Sequence, residues 1–192
     1  MIITSISRAI LPIAICLLST FSFAQTVEDE ETKLLVLVNQ LRTNPKKFLK
    51  DVAKPYLVEN YLDEENRYVK SLIRDLKRQK KSSPLRTDDF LQRIARNYAL
   101  DMGETGSYGH VSKKLGTLAK RMRGSGISYY GENCAYGDAY AIDILMQLLI
   151  DDGVPSLGHR KNLLNKEYTH VGIAIELHRK YGWNCVMDFG KR

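Results

Sequence analysis

The sequence is poor in the residues that announce a particular chemistry. Its 192 residues hold three cysteines, one tryptophan and five prolines. So few cysteines cannot staple a small disulfide scaffold, and stability must come from a buried core. Neither CxxC nor HExxH occurs, which excludes the common zinc-ribbon and zinc-protease signatures. There is no internal repeat and no low-complexity tract, so solenoid and collagen-like architectures are excluded. Only one long apolar run exists, near the start, which excludes a multi-span membrane protein.

What is present is ordinary for a folded domain: 44% hydrophobic and 27% charged residues. The formal net charge is +7, a balance that favours encounter with acidic surfaces. The one dense basic run, Lys77-Arg78-Gln79-Lys80-Lys81, has no interleaved aromatic residue. It reads as a solvated helix end, and nucleic acid is discounted as a partner.

The apolar run follows a single basic residue, Arg8, and extends from Ala9 to Phe21. Ser22-Phe23-Ala24 then offers a small-x-small cleavage site. Residues 1–24 are expected to be a secretory signal peptide, too short to span a bilayer. Residues 25–192 then form a single domain, secreted or periplasmic, with no transmembrane segment after cleavage. Cys16 leaves with the leader, and Cys134 and Cys185 remain. Two cysteines in a secreted chain suggest one disulfide.

Apolar residues at helical spacing predict helices over 28–43, 45–52, 63–80 and 138–150. The clearest helix follows Thr87 as its cap, with Leu91, Ile94, Ala95, Tyr98, Ala99 and Met102 on one face. Residues 129–136 read as a strand. Alternation from Val171 to Ile175 and from Tyr181 to Phe189 predicts a closing hairpin. Helices with a few antiparallel strands indicate an α+β fold.

Three polar islands interrupt these elements: Gly109-His110, Gly131-Glu132-Asn133, and Gly158-His159-Arg160-Lys161-Asn162-Leu163-Leu164-Asn165. Two imidazoles and a carboxylate from distant segments are the raw material of an open metal site or of an acid–base pair. His170 and His178 read as structural. Asn133, Asn162 and Asn165 read as loop braces, and Arg160 as a loop anchor.

The ordered set of these islands, followed by Thr169-His170-Val171-Gly172, resembles the CAP superfamily, also called SCP-like. That family includes cysteine-rich secretory proteins, venom antigen 5 and plant pathogenesis-related class 1 proteins. Leu37-Val38-Asn39-Gln40-Leu41-Arg42-Thr43-Asn44-Pro45 resembles the first helix of its bacterial secreted members. The resemblance covers roughly residues 33–190. It implies a three-layer α-β-α sandwich with a central antiparallel sheet, and a cleft where two histidines and two acids meet. Carried over, His110 and His159 are the paired imidazoles, which could ligate zinc or another divalent cation, and Glu132 is the first acid. The family's second acid is a glutamate on the helix before the second histidine. That helix here offers only Asp143 and Gln147. The expected cleft is therefore His110, Glu132, Asn133, Asp143, Gln147 and His159. Period-two alternation puts Cys134 on the face of Glu132, and a Cys134–Cys185 bond across the sheet is a further expectation.

Three readings compete. The first is a secreted binding module for a divalent ion and a lipid, sterol, glycan or protein. The second is a metal-dependent hydrolase or protease with Glu132 as general base. The third is a buried hydrogen-bond network with no metal. The residues leave catalysis open.

Overall fold

The computed structural model describes residues 11–192, with side chains from Thr26 onward. The expected leader, residues 1–24, therefore lies outside the fully described residues. The helices are α1 (Leu11–Thr43), α2 (Pro45–Phe48), α3 (Lys54–Glu59), α4 (Arg67–Arg78), α5 (Asp89–Thr105), α6 (Leu118–Arg121), α7 (Ala141–Ile150) and α8 (Gly158–Leu164). One π-helical turn, Leu49–Ala53, joins α2 to α3. The strands are β1 (Arg86–Thr87), β2 (Val111–Ser112), β3 (Gly116–Thr117), β4 (Tyr130–Tyr136), β5 (His170–His178) and β6 (Gly182–Gly190). No helix among the described residues is long and apolar enough to cross a membrane.

Local chemistry sets the element ends. Asn44 caps α2 and Pro45 fills its first turn, where a missing N–H costs nothing. Asp88, one residue after the expected Thr87, caps α5 by accepting the Leu91 N–H at 3.0 Å. Gly106 ends α5 at φ +68°, a left-handed position suited to glycine.

The sheet order is β1-β5-β6-β4. Strands β5, β6 and β4 are antiparallel, and the two-residue β1 adds in parallel at one edge. Alternation then sorts side chains onto two faces. Ala135, Val171, Ile173, Ile175, Cys185, Met187 and Phe189 pack against α1, α4, α7 and α8. Cys134, Ala174 and Val186 pack against Ala95, Tyr98, Ala99 and Met102 of α5. The result is helix, sheet, helix, in agreement with the expected α+β sandwich.

That sorting overturns the expected disulfide. Cys185 lies opposite Ala135 in the β4–β6 register, not opposite Cys134. The two cysteines therefore point to opposite faces of the sheet, and both are buried free thiols.

Two buried arginines tie the helical layer together. Arg42 donates to the carbonyls of Ser83, Leu163, Asn165 and Tyr168 at 2.8–3.0 Å. Burial pulls its guanidinium down to about 10. Arg160 reaches the carbonyls of Tyr68, Leu149 and Ile150, the Ser71 hydroxyl and the Asp75 carboxylate. Such a cation is held by several acceptors at once, so losing it would strand them all.

The outer edge of β5 is closed by side chains. The Gln92 amide donates to Ile173 O and accepts from Ile173 N. Glu31 accepts from Ile175 N at 2.7 Å, and Arg96 donates to Ile175 O and to Glu31.

Gly172 is where α5 comes closest to the sheet: a Cβ there would overlap the backbone of Leu91 and Gln92. Gly172→Ala is expected to destabilise by about 3 kcal/mol in urea unfolding, because backbone on both sides must move. Gly124→Ala, at φ +77° with open space around it, should cost only about 1 kcal/mol. Alkylation in denaturant without reductant should label both Cys134 and Cys185.

Candidate functional site

Strand β4 turns Glu132 toward the α5 side, where its side chain is only 2% exposed. One carboxylate oxygen lies 2.8 Å from His110 Nδ1. The other takes an ion pair from Arg121, at the end of α6. The Arg121 guanidinium stacks 3.6 Å from the Tyr98 ring centroid, so α5 supplies the floor on which this charge rests. Two tyrosines fix the loop that carries His110. The Gly109 N–H donates to Tyr136 Oη at 2.9 Å, and Tyr98 Oη donates to Gly109 O at 3.0 Å. The His110 side chain stays half-exposed, at 52%.

His159 enters from α8. Asp151, the residue that ends α7, has φ +58° and is buried. Its carboxylate accepts His159 N at 3.0 Å and Arg160 N at 3.3 Å, and lies 2.7 Å from His159 Nδ1. The rings of His110 and His159 then stand 6.4 Å apart, centroid to centroid.

The two imidazoles are held in the same manner. A carboxylate can only accept, so each Nδ1 carries the proton and each Nε2 of the neutral ring keeps a bare lone pair. This is the orientation that carboxylate-held metal-binding histidines adopt.

The other expected residues serve in different ways. Asn133 donates to His159 O, and Asn162 donates to Glu132 O and Asn133 Oδ1, so this pair braces the cleft wall. Asp143 takes the Tyr56 hydroxyl hydrogen bond at 2.8 Å, and Gln147 donates to Tyr136 O. His178 closes the β5–β6 turn by bonding Ser107 O and the N–H groups of Lys180 and Tyr181.

Three residues of the site, Asp151, Arg121 and Asp188, escape a sequence reading, whereas Cys134 is expected on the face of Glu132. Asp151 orients His159, and Arg121 orients Glu132. Cys134 Sγ lies 3.8 Å from His110 Nδ1, two positions after Glu132 on the same face. Burial, with Glu132 and Asp188 adding to it, pushes this thiol well above its usual range. It is therefore not an activated nucleophile. Asp188 lies directly across from Glu132 on β6. Burial and the Glu132 charge push its carboxyl well above the usual carboxylate range. The alternation of Glu132 and Cys134 was the one available signal; nothing in the chain order pointed to the other three.

The family model described as CAP, the cysteine-rich secretory protein family, matches residues 35–189. The chain belongs to that family. Over 92 residues it is 37% identical to the uncharacterized membrane protein YlbC of Bacillus subtilis (strain 168), covering 46% of this chain and 24% of that protein. Over 105 residues it is 32% identical to the uncharacterized protein YkwD of the same organism, covering 53% and 39%. The chain thus spans well under half the length of these relatives. Among solved structures, an extracellular protein containing an SCP domain from Bacillus anthracis str. Ames has a TM-score of 0.48 at 26% identity, covering 65% of this chain and 39% of that one. An outer surface protein of Borrelia burgdorferi has a TM-score of 0.49 at 22% identity, covering 68% and 96%.

Long-range nitrogen–proton correlation spectra at neutral pH should find both His110 and His159 protonated on Nδ1. Asp151→Ala should release only His159 into a mixture of tautomers. It should also lower stability by about 1–3 kcal/mol, since two buried N–H groups lose their acceptor.

Proposed function

We propose that this is a secreted CAP domain whose paired imidazoles hold a divalent cation, with zinc the first choice, and which also binds an extracellular ligand. The observation that supports it is the matched pair of carboxylate-held histidines. Glu132 and Asp151 each fix an Nδ1, and both bare Nε2 atoms are left for a shared ion. The donor chemistry suits zinc, which binds neutral imidazole and leaves open positions for water or a ligand. Secretion is proposed from the leader-like residues 1–24.

A separate groove of about 980 Å3 supports an apolar ligand, lipid or sterol, ahead of a glycan. It runs between the start of α1 and α5, with Val27, Leu35, Ile173, Ile175 and Trp183 as its apolar lining and charged residues such as Glu31, Arg93 and Arg96 beside them.

The hydrolase reading is not adopted. It needs Glu132 as a free general base, and both its oxygens are engaged, by His110 and by Arg121. Two imidazoles are also fewer than the three protein ligands usual for catalytic zinc.

Calorimetric titration of chelator-treated protein with zinc, at about pH 7.5 so that the imidazoles ligate as neutral rings, is the test. Micromolar binding, lost in both His110→Ala and His159→Ala, is expected. No binding, with both variants less stable than wild type, would reduce the cleft to a structural network.

A further inference from the structure

The far side of α8 carries a polar feature that the cleft does not use. Lys161 follows His159 by two positions, about 200° around the helix, so the two side chains leave α8 on opposite sides. On the Lys161 side a groove of about 370 Å3 runs between α8 and the end of α4, inside the range of about 300–1,000 Å3 usual for small-molecule sites. Arg78, Gln79, Leu157, Lys161 and Leu164 line it. Gln79 ties its two walls together by donating Nε2 to Leu164 O at 3.3 Å.

The charge of this groove is unbalanced. Its one lining acid, Asp75, is spent on the protein itself: one oxygen takes Arg160 at 2.9 Å, and the other faces Arg74 at 3.6 Å. Among the described residues no carboxylate pairs with Arg78 or Lys161, nor with Lys77, Lys80 or Lys81 beside them. A solvated helix end accounts for only part of this. Lys77 and Arg78 lie in the last turn of α4, where cations suit the helix dipole. Lys80 and Lys81 lie past the Gln79 cap, in a stretch that the Ser82 N–H pins to Arg42 O at 2.8 Å. Lys161 comes from another helix. Cations gathered from two elements without a counter-charge raise the local potential and attract an anion.

The lining indicates what kind of anion. The Gln79 amide supplies hydrogen bonds, Leu157 and Leu164 an apolar wall, and Arg78 a planar fork for a carboxylate. Together they suit a ring that carries hydroxyls, a C–H face and a carboxylate in one unit, which is a sugar acid. A bilayer fits poorly. The groove is concave, and the exposed apolar residues Val58, Tyr61 and Leu62 lie beyond the other end of α4, next to Asp63 and Glu64. For nucleic acid, the groove has no aromatic side chain on which a base can stack.

We infer that the groove between α4 and α8 binds a glycan chain bearing carboxylate groups, with Arg78 and Lys161 on one sugar acid and Lys77, Lys80 and Lys81 on its neighbours. Ion pairs and hydrogen bonds hold the chain, and no covalent bond is made or broken. Neither cleft histidine takes part and no metal is needed, so the groove stands apart from the proposed cation site.

Calorimetric titration of the chelator-treated protein with oligogalacturonate, a chain of sugar acids, is the test. Binding is expected, and it should weaken as salt rises, because exposed ion pairs are screened. Arg78→Ala/Lys161→Ala should weaken it by about tenfold, through loss of two charge-assisted contacts. The unfolding midpoint should hold, since both side chains are exposed. Lys113→Ala/Lys114→Ala removes the same charge from the β2–β3 turn beside α5 and should stay within about twofold of wild type. His110→Ala should bind the chain as wild type does. Equal losses in the two double variants would overturn the groove in favour of net charge alone. No binding of oligogalacturonate would overturn it outright. Tighter binding to phosphatidylglycerol vesicles than to the glycan, lost in Arg78→Ala/Lys161→Ala, would replace the glycan with a lipid surface.

Discussion

The cleft depends on one carboxylate, that of Asp151. It sits at the end of α7 in a left-handed conformation, which turns its side chain back across the start of α8. There it takes the N–H groups of His159 and Arg160 and the His159 ring in one grip. The next residue along, Arg160, seals the same corner from inside, binding the last carbonyls of α7 and the flank of α4. A ring about a quarter exposed is thus aimed by groups wholly out of solvent. Position at the surface is set by charge satisfaction in the interior, where an unmet polar group costs most.

The sheet divides its labour by face. The side toward α1 and α7 is apolar and provides cohesion. The side toward α5 carries Glu132, Cys134, Asn184 and Asp188 among its small apolar residues. That polar stripe survives burial because Arg121 and the cleft histidine meet part of it. It also explains why α5 must come so close at Gly172: with little apolar bulk on that face, near contact replaces volume.

Much of this was legible in the chain. The apolar stripe of α5, the run of α7 and the alternation of the last two strands each carry their own period, and each formed. The islands around His110, Glu132 and His159 marked the cleft because polar residues flanked by glycine do not belong in a core. What failed depended on register. Whether Cys185 faces Cys134 turns on a one-residue offset between β4 and β6, which alternation within each strand cannot fix. Asp188 is hidden for the same reason, since it lies on the polar phase of a strand whose apolar phase carries the visible alternation. Asp151 is hidden because it lies past the end of α7, where backbone geometry and not periodicity aims the side chain. Asp143 and Gln147, on the expected face, are turned instead to Tyr56 and to the Tyr136 carbonyl.

The closed edge of β5 has a consequence for how copies of the domain meet. An open strand edge is a template on which a second chain can grow. Here the Gln92 carboxamide occupies the donor and acceptor of Ile173 just as a neighbouring peptide unit would, and Glu31 with Arg96 does so at Ile175. The sheet ends on counterfeit strand made of side chains. That leaves copies of the domain with nothing there to zip onto, so crowding need not end in fibres.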